Sequence, residues 1–199
     1  GWGEFAPFLE YGAQESAAWL ACALEAAWLP IPEPVRTRIP LNATLPAVPA
    51  ERVPEVLAKY EGEIQELKIK VAEKGQSLTD DIARVAAARD ALPNARLKVD
   101  ANMGYTLGGA LDALRKLCEY GIIYAEQPVA SIEDMAALRF AIAKERLPAR
   151  IAADESIRKA EDPLKVARAN AADLMVIKAA PLGGVRRALA LVEQAQLPA

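Results

Sequence analysis

The sequence contains no histidine, which removes every mechanism that turns on an imidazole as base, nucleophile partner or metal ligand. Cysteine is nearly as scarce. Cys22 and Cys118 stand far apart with no CxxC spacing, so neither a disulfide framework nor a structural zinc site is expected, and the usage suits a reducing cytoplasm. An excess of one charge is missing too: 24 Lys+Arg against 27 Asp+Glu leave a formal net charge of -3, with no run of five like charges. That pattern offers nothing to nucleic acid or to an anionic lipid surface. No apolar run reaches the roughly 20 residues of a bilayer span. The longest, around residues 17–29, is interrupted by Glu25 and is expected as a buried helix. The chain opens at Gly1 without a methionine or a targeting pattern, so a segment upstream is expected to be missing.

What remains is the composition of a globular protein, 199 residues with 53% hydrophobic and 26% charged content. Residues 14–28 predict an alanine-rich helix with Trp19, Cys22, Ala23 and Ala26 on one face, stopped by Pro30, Pro32 and Pro34. A boundary near residue 38 follows. Beyond it, strand candidates at 41–45, 66–72, 96–102, 121–126, 150–154 and 173–178 alternate with helices. Ser77 with Asp80 and Ser131 with Asp134 fit capping boxes, and Asp162-Pro163 fits a helix start. Ile82, Val85 and Ala86 mark one helix face; Leu111, Leu114, Leu117 and Cys118 mark the next, with Gly121 as its stop and Cys118 as a core residue. Gly183-Gly184 reads as a tight strand-to-helix turn, because no GxGxxG or Walker pattern surrounds it. Such alternation implies a parallel sheet with right-handed crossovers, either open or closed as a barrel.

The chemistry sits at the ends of these strands. Lys68 and Lys70, Asp100, Glu126, Asp154 and Lys178 each fall near the C-terminal end of a successive strand, one βα unit apart, which is where parallel α/β folds bind ligands. Period-two geometry places Lys68 and Lys70 on one face, opposite Leu67, Ile69 and Val71, and sets Asp100 with Lys98 and Asn102. Three ionised carboxylates in a low-dielectric interior repel one another unless a cation neutralises them. Oxygen ligation by Asp100, Glu126 and Asp154 favours a hard ion, Mg²⁺ with Mn²⁺ as substitute. Internal salt bridges to the lysines are the alternative, less favoured because buried ion pairs seldom repay desolvation in such numbers. Lysines beside a metal suit removal of a proton alpha to a carboxylate: nearby positive charge frees an amine as base, and with Lys70 and Lys178 on opposite flanks the metal and the second lysine would stabilise the enediolate.

In order, Lys68-Ile69-Lys70, Val99-Asp100-Ala101-Asn102, Ala125-Glu126-Gln127-Pro128, Ala153-Asp154-Glu155-Ser156 and Ile177-Lys178 resemble the motifs of the enolase superfamily, in its muconate-lactonizing-like branch. The handling of Mg²⁺ with lysine bases is a known pattern of that superfamily. Residues 1–8, the segment Pro40-Leu41-Asn42-Ala43-Thr44 and Pro181-Leu182-Gly183-Gly184 resemble the actinobacterial o-succinylbenzoate synthases of menaquinone biosynthesis.

The resemblance implies Mg²⁺ on Asp100, Glu126 and Asp154, with Lys70 as base and then acid in a syn-dehydration of a cyclohexadiene carboxylate. It implies Lys178 as the cation across the ring, and Lys68 and Asn102 in support of base and substrate. Gln127 is expected behind the ligands, Glu155 as a tuning or structural residue, and Trp2 and Phe5 in a pocket-lining segment.

The resemblance also implies a (β/α) barrel, here incomplete at about six βα units against roughly 250 residues for the usual form. Residues 1–38 would be the C-terminal part of an α+β capping domain, and residues 39–199 the partial barrel. Open barrel edges suggest self-association. Two other readings stand beside the dehydratase: a racemase, epimerase or cycloisomerase of the same superfamily, or a non-catalytic fragment acting through assembly.

Overall fold

The computed structural model describes residues 1–158 and 162–197. The first helix, α1 (Ala13–Trp28), precedes a regular alternation: β1 (Ala43–Leu45), α2 (Val53–Leu57), β2 (Glu66–Lys70), α3 (Leu78–Ala91), β3 (Arg96–Asp100), α4 (Leu107–Leu117), β4 (Ile122–Glu126), α5 (Ile132–Glu145) and β5 (Arg150–Ala153). Three short helices flank the last strand: α6 (Glu155–Arg158), α7 (Lys165–Arg168), β6 (Leu174–Met175) and α8 (Ala179–Leu182), before α9 (Val185–Ala195). Among the described residues the strands form one sheet in the order β1-β2-β3-β4-β5-β6, every neighbouring pair parallel. The predicted βα alternation is therefore what forms.

Alternation of side chains explains why these strands are buried on one face. Leu67 and Ile69 are fully buried against the helices, while Lys68 and Lys70 turn to the other side. Leu45, Leu67, Ile69, Leu97, Val99, Ile122 and Ile151 form the sheet's contribution to the core, and Leu114, Leu117, Met135 and Leu138 close it from the helices. Thr106 and Ser131 cap α4 and α5, accepting N–H bonds from Gly109 and Asp134. Ser77 and Asp80 complete the predicted capping box of α3. Gly121 turns left-handed at φ 69°, ending the turn after α4 as expected. Cys118 packs half-buried against the core.

Several expectations are corrected. The apolar stretch at residues 17–29 is a surface helix, with Ala23 its one buried residue: α1 leans on α8 while Leu20, Leu24 and Trp28 remain exposed. Ala26 lies outside the buried face. The buried face of α3 is Asp81, Arg84, Val85 and Ala88; Ile82 and Ala86 sit at its margin. Strand pairing ends two residues earlier than predicted in β2 and β3, and β6 is only Leu174–Met175. Asp162 accepts an N–H from Leu164, and the helix begins at Lys165 instead of Pro163. Gly183 and Gly184, at φ 91° and 127°, join two helices and not a strand to a helix. The N-terminus of α9 that follows is filled from within: Glu25 of α1 accepts N–H bonds from Val185 and Arg186, at 3.1 and 3.3 Å, which satisfies its free amides.

The free edge of β1 is also partly closed. The Tyr60 hydroxyl accepts from the Thr44 N–H at 2.9 Å and donates to the Thr44 carbonyl at 2.8 Å, the two groups another strand would use. Among the described residues no helix is long and apolar enough to cross a membrane.

Two glycines near the sheet's C-terminal edge make opposite demands. A Cβ on Gly104 would meet the Ala72 carbonyl oxygen at 2.6 Å and the Ala101 carbonyl oxygen at 2.9 Å, both backbone, whereas one on Gly108 meets nothing within 4 Å. Gly104→Ala is expected to lower stability by about 1–3 kcal/mol. Gly108→Ala, in the first turn of α4, is expected to raise it by about 0.5–1 kcal/mol. Urea unfolding of the two variants checks both signs.

Candidate active site

Parallel pairing aligns the strand ends. Lys68 pairs in register with Lys98, Lys70 with Asp100, and Asp100 with Glu126, so side chains from β2, β3 and β4 stand abreast on the face away from the helices. Asp154 follows the end of β5, and Lys178 precedes α8 beyond β6. The structure thus brings the predicted residues to one edge, with Lys70 and Lys178 on opposite flanks.

There the charges alternate. Lys70 Nζ donates to Asp100 Oδ2 at 2.6 Å and to Asn102 Oδ1 at 2.5 Å. Lys68 Nζ lies 3.0 Å from Asp100 Oδ2 and 3.2 Å from Glu126 Oε1. Lys178 Nζ donates to Asp154 Oδ2 at 2.6 Å. The carboxylates are buried, Asp100 and Glu126 at 1% exposure and Asp154 at 2%. Burial would lower the Lys68 pKa, but Glu126 and Asp100 outweigh it and hold the ammonium well above its ordinary range. Burial raises Asp100, and the hydrogen bond from Lys70 with the charge of Lys68 reverses that, leaving it below the carboxylate range. Glu126 goes the other way: burial and the charge of Asp100 push it up, helped by Asp154. Tyr124, beside these groups on β4, is raised by burial to about 12.

Among the described residues no group of three Asp, Glu, Cys or His side chains is disposed to hold a metal ion. The carboxylates are paired with the amines of Lys68, Lys70 and Lys178. The donor set nonetheless fits a hard divalent cation on two observations. Asp154 Oδ1 is buried without a hydrogen-bond partner. Glu126 is pushed toward protonation by burial first and then by the charge of Asp100, which Lys68 only partly offsets, so added positive charge beside it would favour its ionised form.

A second layer fixes these ends. Gln127 is fully buried; its carbonyl oxygen accepts from the Asp154 and Ser156 N–H groups at 3.0 and 3.1 Å, and its amide donates to the Val129 carbonyl and Ser156 Oγ. Glu155 accepts from Asn102 Nδ2 at 3.1 Å and from Arg158 at 3.0 Å, so its role includes joining β3 to β5. Trp2 is 96% exposed and Phe5 51%.

Sequence reasoning missed Arg158, Asp81, Arg84 and Tyr105. Arg158 sits 3.5 Å from Asp154 and donates to the Tyr11 hydroxyl at 2.7 Å, under an edge-to-face cluster of Phe8, Tyr11 and Trp19. Asp81 and Arg84 did carry a signal: positions 81, 84, 85 and 88 follow helical core spacing, with charges in two of the four places.

A family model described as enolase C-terminal domain-like matches residues 50–197, and one described as enolase N-terminal domain-like matches residues 1–27. An o-succinylbenzoate synthase of Mycolicibacterium smegmatis is 55% identical over all 199 residues, which cover 60% of that relative. Those of Mycobacterium leprae and Thermobifida fusca are 50% and 48% identical over the same span, covering 57% and 61% of their lengths. The chain thus spans about three fifths of these curated relatives. Among solved structures, a mandelate racemase/muconate lactonizing family protein from Azoarcus sp. EbN1 aligns with TM-score 0.69 at 32% identity, covering 82% of this chain and 43% of that one. A muconate cycloisomerase from Pseudomonas fluorescens aligns with TM-score 0.68 at 30% identity, covering 82% and 45%.

Gln127 generates a stability test. Gln127→Met keeps the volume and removes the acceptor and donor, leaving the buried Asp154 and Ser156 amides unpaired. A loss of about 2–4 kcal/mol in chemical denaturation is expected. A loss under about 1 kcal/mol would mean those amides find other partners.

Proposed function

The chain belongs to the enolase superfamily, and from that premise we propose that it carries the chemistry of an o-succinylbenzoate synthase: the Mg²⁺-dependent syn-dehydration of 2-succinyl-6-hydroxy-2,4-cyclohexadiene-1-carboxylate to 2-succinylbenzoate. Its six-stranded parallel sheet is part of the superfamily's (β/α) barrel. The observation that carries the reading is the row of Asp100, Glu126 and Asp154 on successive strand ends, flanked by Lys70 and Lys178. Support for this reaction over racemisation, epimerisation or cycloisomerisation comes from the relatives matched over the whole chain, which bear that name.

Enzymes of this superfamily use a divalent metal. In the proposal Asp100, Glu126 and Asp154 hold Mg²⁺, or Mn²⁺ in its place, and the ion when bound supplies positive charge to the substrate carboxylate. The chain's own groups do the rest. Lys70, freed from Asp100 as a neutral amine, takes the proton alpha to the carboxylate, and the C–H electron pair passes into an enediolate. Lys178 remains an ammonium on the opposite flank and stabilises that doubled negative charge. The electron pair then returns to form the ring double bond and expels the hydroxyl on the adjacent carbon. Lys70 gives its acquired proton to the departing oxygen, so one water leaves and the base is regenerated. Lys68, kept cationic between Asp100 and Glu126, supports the substrate carboxylate, and Asn102 orients Lys70 by accepting from it.

Residues 1–38 are assigned to the cap, and 39–199 to the barrel, its last two residues lying outside the described ones. The partner is a small carboxylate, with neither nucleic acid nor membrane, in a cytoplasmic setting. Self-association through sheet edges belongs to the proposal on the β6 side, since Tyr60 covers Thr44 of β1.

Two measurements test this. Turnover of the cyclohexadiene acid with Mg²⁺ is expected for the chain and is expected to fall at least about a thousandfold in Lys70→Ala, as for loss of a general base. Full turnover in that variant rejects the base. Calorimetry is expected to show Mg²⁺ affinity lost in Asp154→Ala, and unchanged binding removes Asp154 from the ligand set.

A further inference from the structure

The largest fully buried side chain belongs to Arg84, and its charge partner Asp81 is equally hidden, at 0% and 1% exposure. A buried ion pair of this kind persists only when its remaining hydrogen-bonding capacity is met. Here three of its five further bonds go to backbone groups at or just beyond strand ends, and the other two to the side chains of Gln76 and Tyr105. Arg84 Nη1 donates to the Lys70 carbonyl at 2.9 Å and to Asp81 at 2.9 Å, and Nε donates to the Val48 carbonyl at 2.6 Å. Its Nη2 reaches Gln76 Oε1, and Gln76 in turn donates to the Ala47 carbonyl at 2.8 Å. Asp81 Oδ2 accepts from the Ala72 N–H at 3.0 Å and from the Tyr105 hydroxyl at 2.7 Å.

These bonds tie together the loops after β1, β2 and β3. Ala72 is left-handed at φ 58°, and the Asp81 carboxylate is what receives its N–H. Gly104, beside Tyr105, lies so close to Ala72 that a Cβ would not fit, and the Tyr105 N–H continues to the Pro128 carbonyl after β4 at 3.2 Å. Lys70 is thus gripped on its carbonyl by Arg84, while the next amide, of Val71, bonds to the Asp100 carbonyl at 3.0 Å. Asn102, at φ 43°, opens the loop that Tyr105 anchors. Tyr105 is kept as the neutral donor: burial, its bond to Asp81 and that carboxylate's charge all push its pKa up.

We propose that Asp81, Arg84 and Tyr105 form a buried positioning network that sets where Lys70 and Asn102 stand relative to each other. The network touches no substrate; it acts through the Lys70 carbonyl and the Asn102–Tyr105 loop. Its consequence for turnover rests on the reading of Lys70 as the base, but the placement itself does not.

The test is made on the whole chain with Tyr105→Phe, which removes one hydroxyl and keeps the ring, and with Arg84→Lys as the second variant. In protein labelled with ¹³C-lysine, the Lys70 Cε–Hε signal is assigned by its loss in Lys70→Arg. Both variants are expected to move that signal while leaving Lys178's in place, and to lower kcat by about tenfold with KM within about twofold, as for a misplaced group. A Lys70 signal that stays put overturns the network. So do Lys70 and Lys178 signals that move together, because uniform loosening is what a merely stabilising ion pair gives. If turnover survives in Lys70→Ala, the base assignment fails and the Lys70 signal still decides the placement.

Discussion

The structure depends on positive charge being supplied to carboxylates buried along one edge of a sheet. Asp100 and Glu126 are neighbours in register, and each is almost wholly withdrawn from water. Two such groups cannot both ionise at close range unless something cationic lies between them. Lys68 fills that place, and the directions of the shifts record the balance: Lys68 up, Asp100 down and Glu126 up. Glu126 is the group left undercompensated. A site with one carboxylate still short of positive charge is suited to accept a hard cation at the same edge.

That edge was legible in the sequence because parallel strands convert spacing into proximity. One βα unit between charged residues returns each to the same end, and period two decides the face; neither inference needs the tertiary structure. The helix caps at Ser77 and Ser131 are equally local in origin. What escaped was decided by contacts distant in sequence. Gln127 was expected behind the metal ligands but not as the group that binds the Asp154 and Ser156 amides, since that requires β4 and β5 to be already paired. Residues 17–29 were expected to be buried from their hydrophobicity, yet burial needs a partner surface on every side, and α8 supplies one. The ends of β2 and β3 came out short for a related reason: at Ala72 and Asn102, as at Gln127 after β4, the backbone turns left-handed, and no composition rule announces that for non-glycine residues.

Those left-handed residues follow the ends of β2, β3 and β4, the strands that bear Lys70, Asp100 and Glu126. Each ends its strand one or two residues after the functional side chain, and amides there have fixed acceptors: Ala72 donates to Asp81, Met103 to the Gln127 carbonyl and Gln127 to the Ala152 carbonyl, the last two at 2.8 Å. Backbone held in a sparsely populated region persists only where surrounding bonds determine it. Here those bonds come from buried polar groups, and the strain falls next to the residues whose placement matters.

Two attachments of the N-terminal segment extend the same logic outward. Glu25 receives the first amides of α9, and Tyr11 receives Arg158, whose guanidinium lies beside Asp154 and Glu155. Both contacts join residues before 38 to the sheet's C-terminal side, and both use charge where apolar packing is thin, since α1 buries little of its surface. Charge-assisted bonds of this kind fix orientation more than they stabilise, because exposed partners regain water when they part. The row of lysines and carboxylates is therefore held by the sheet, whereas the segment before residue 38 is joined to that sheet by a few polar contacts.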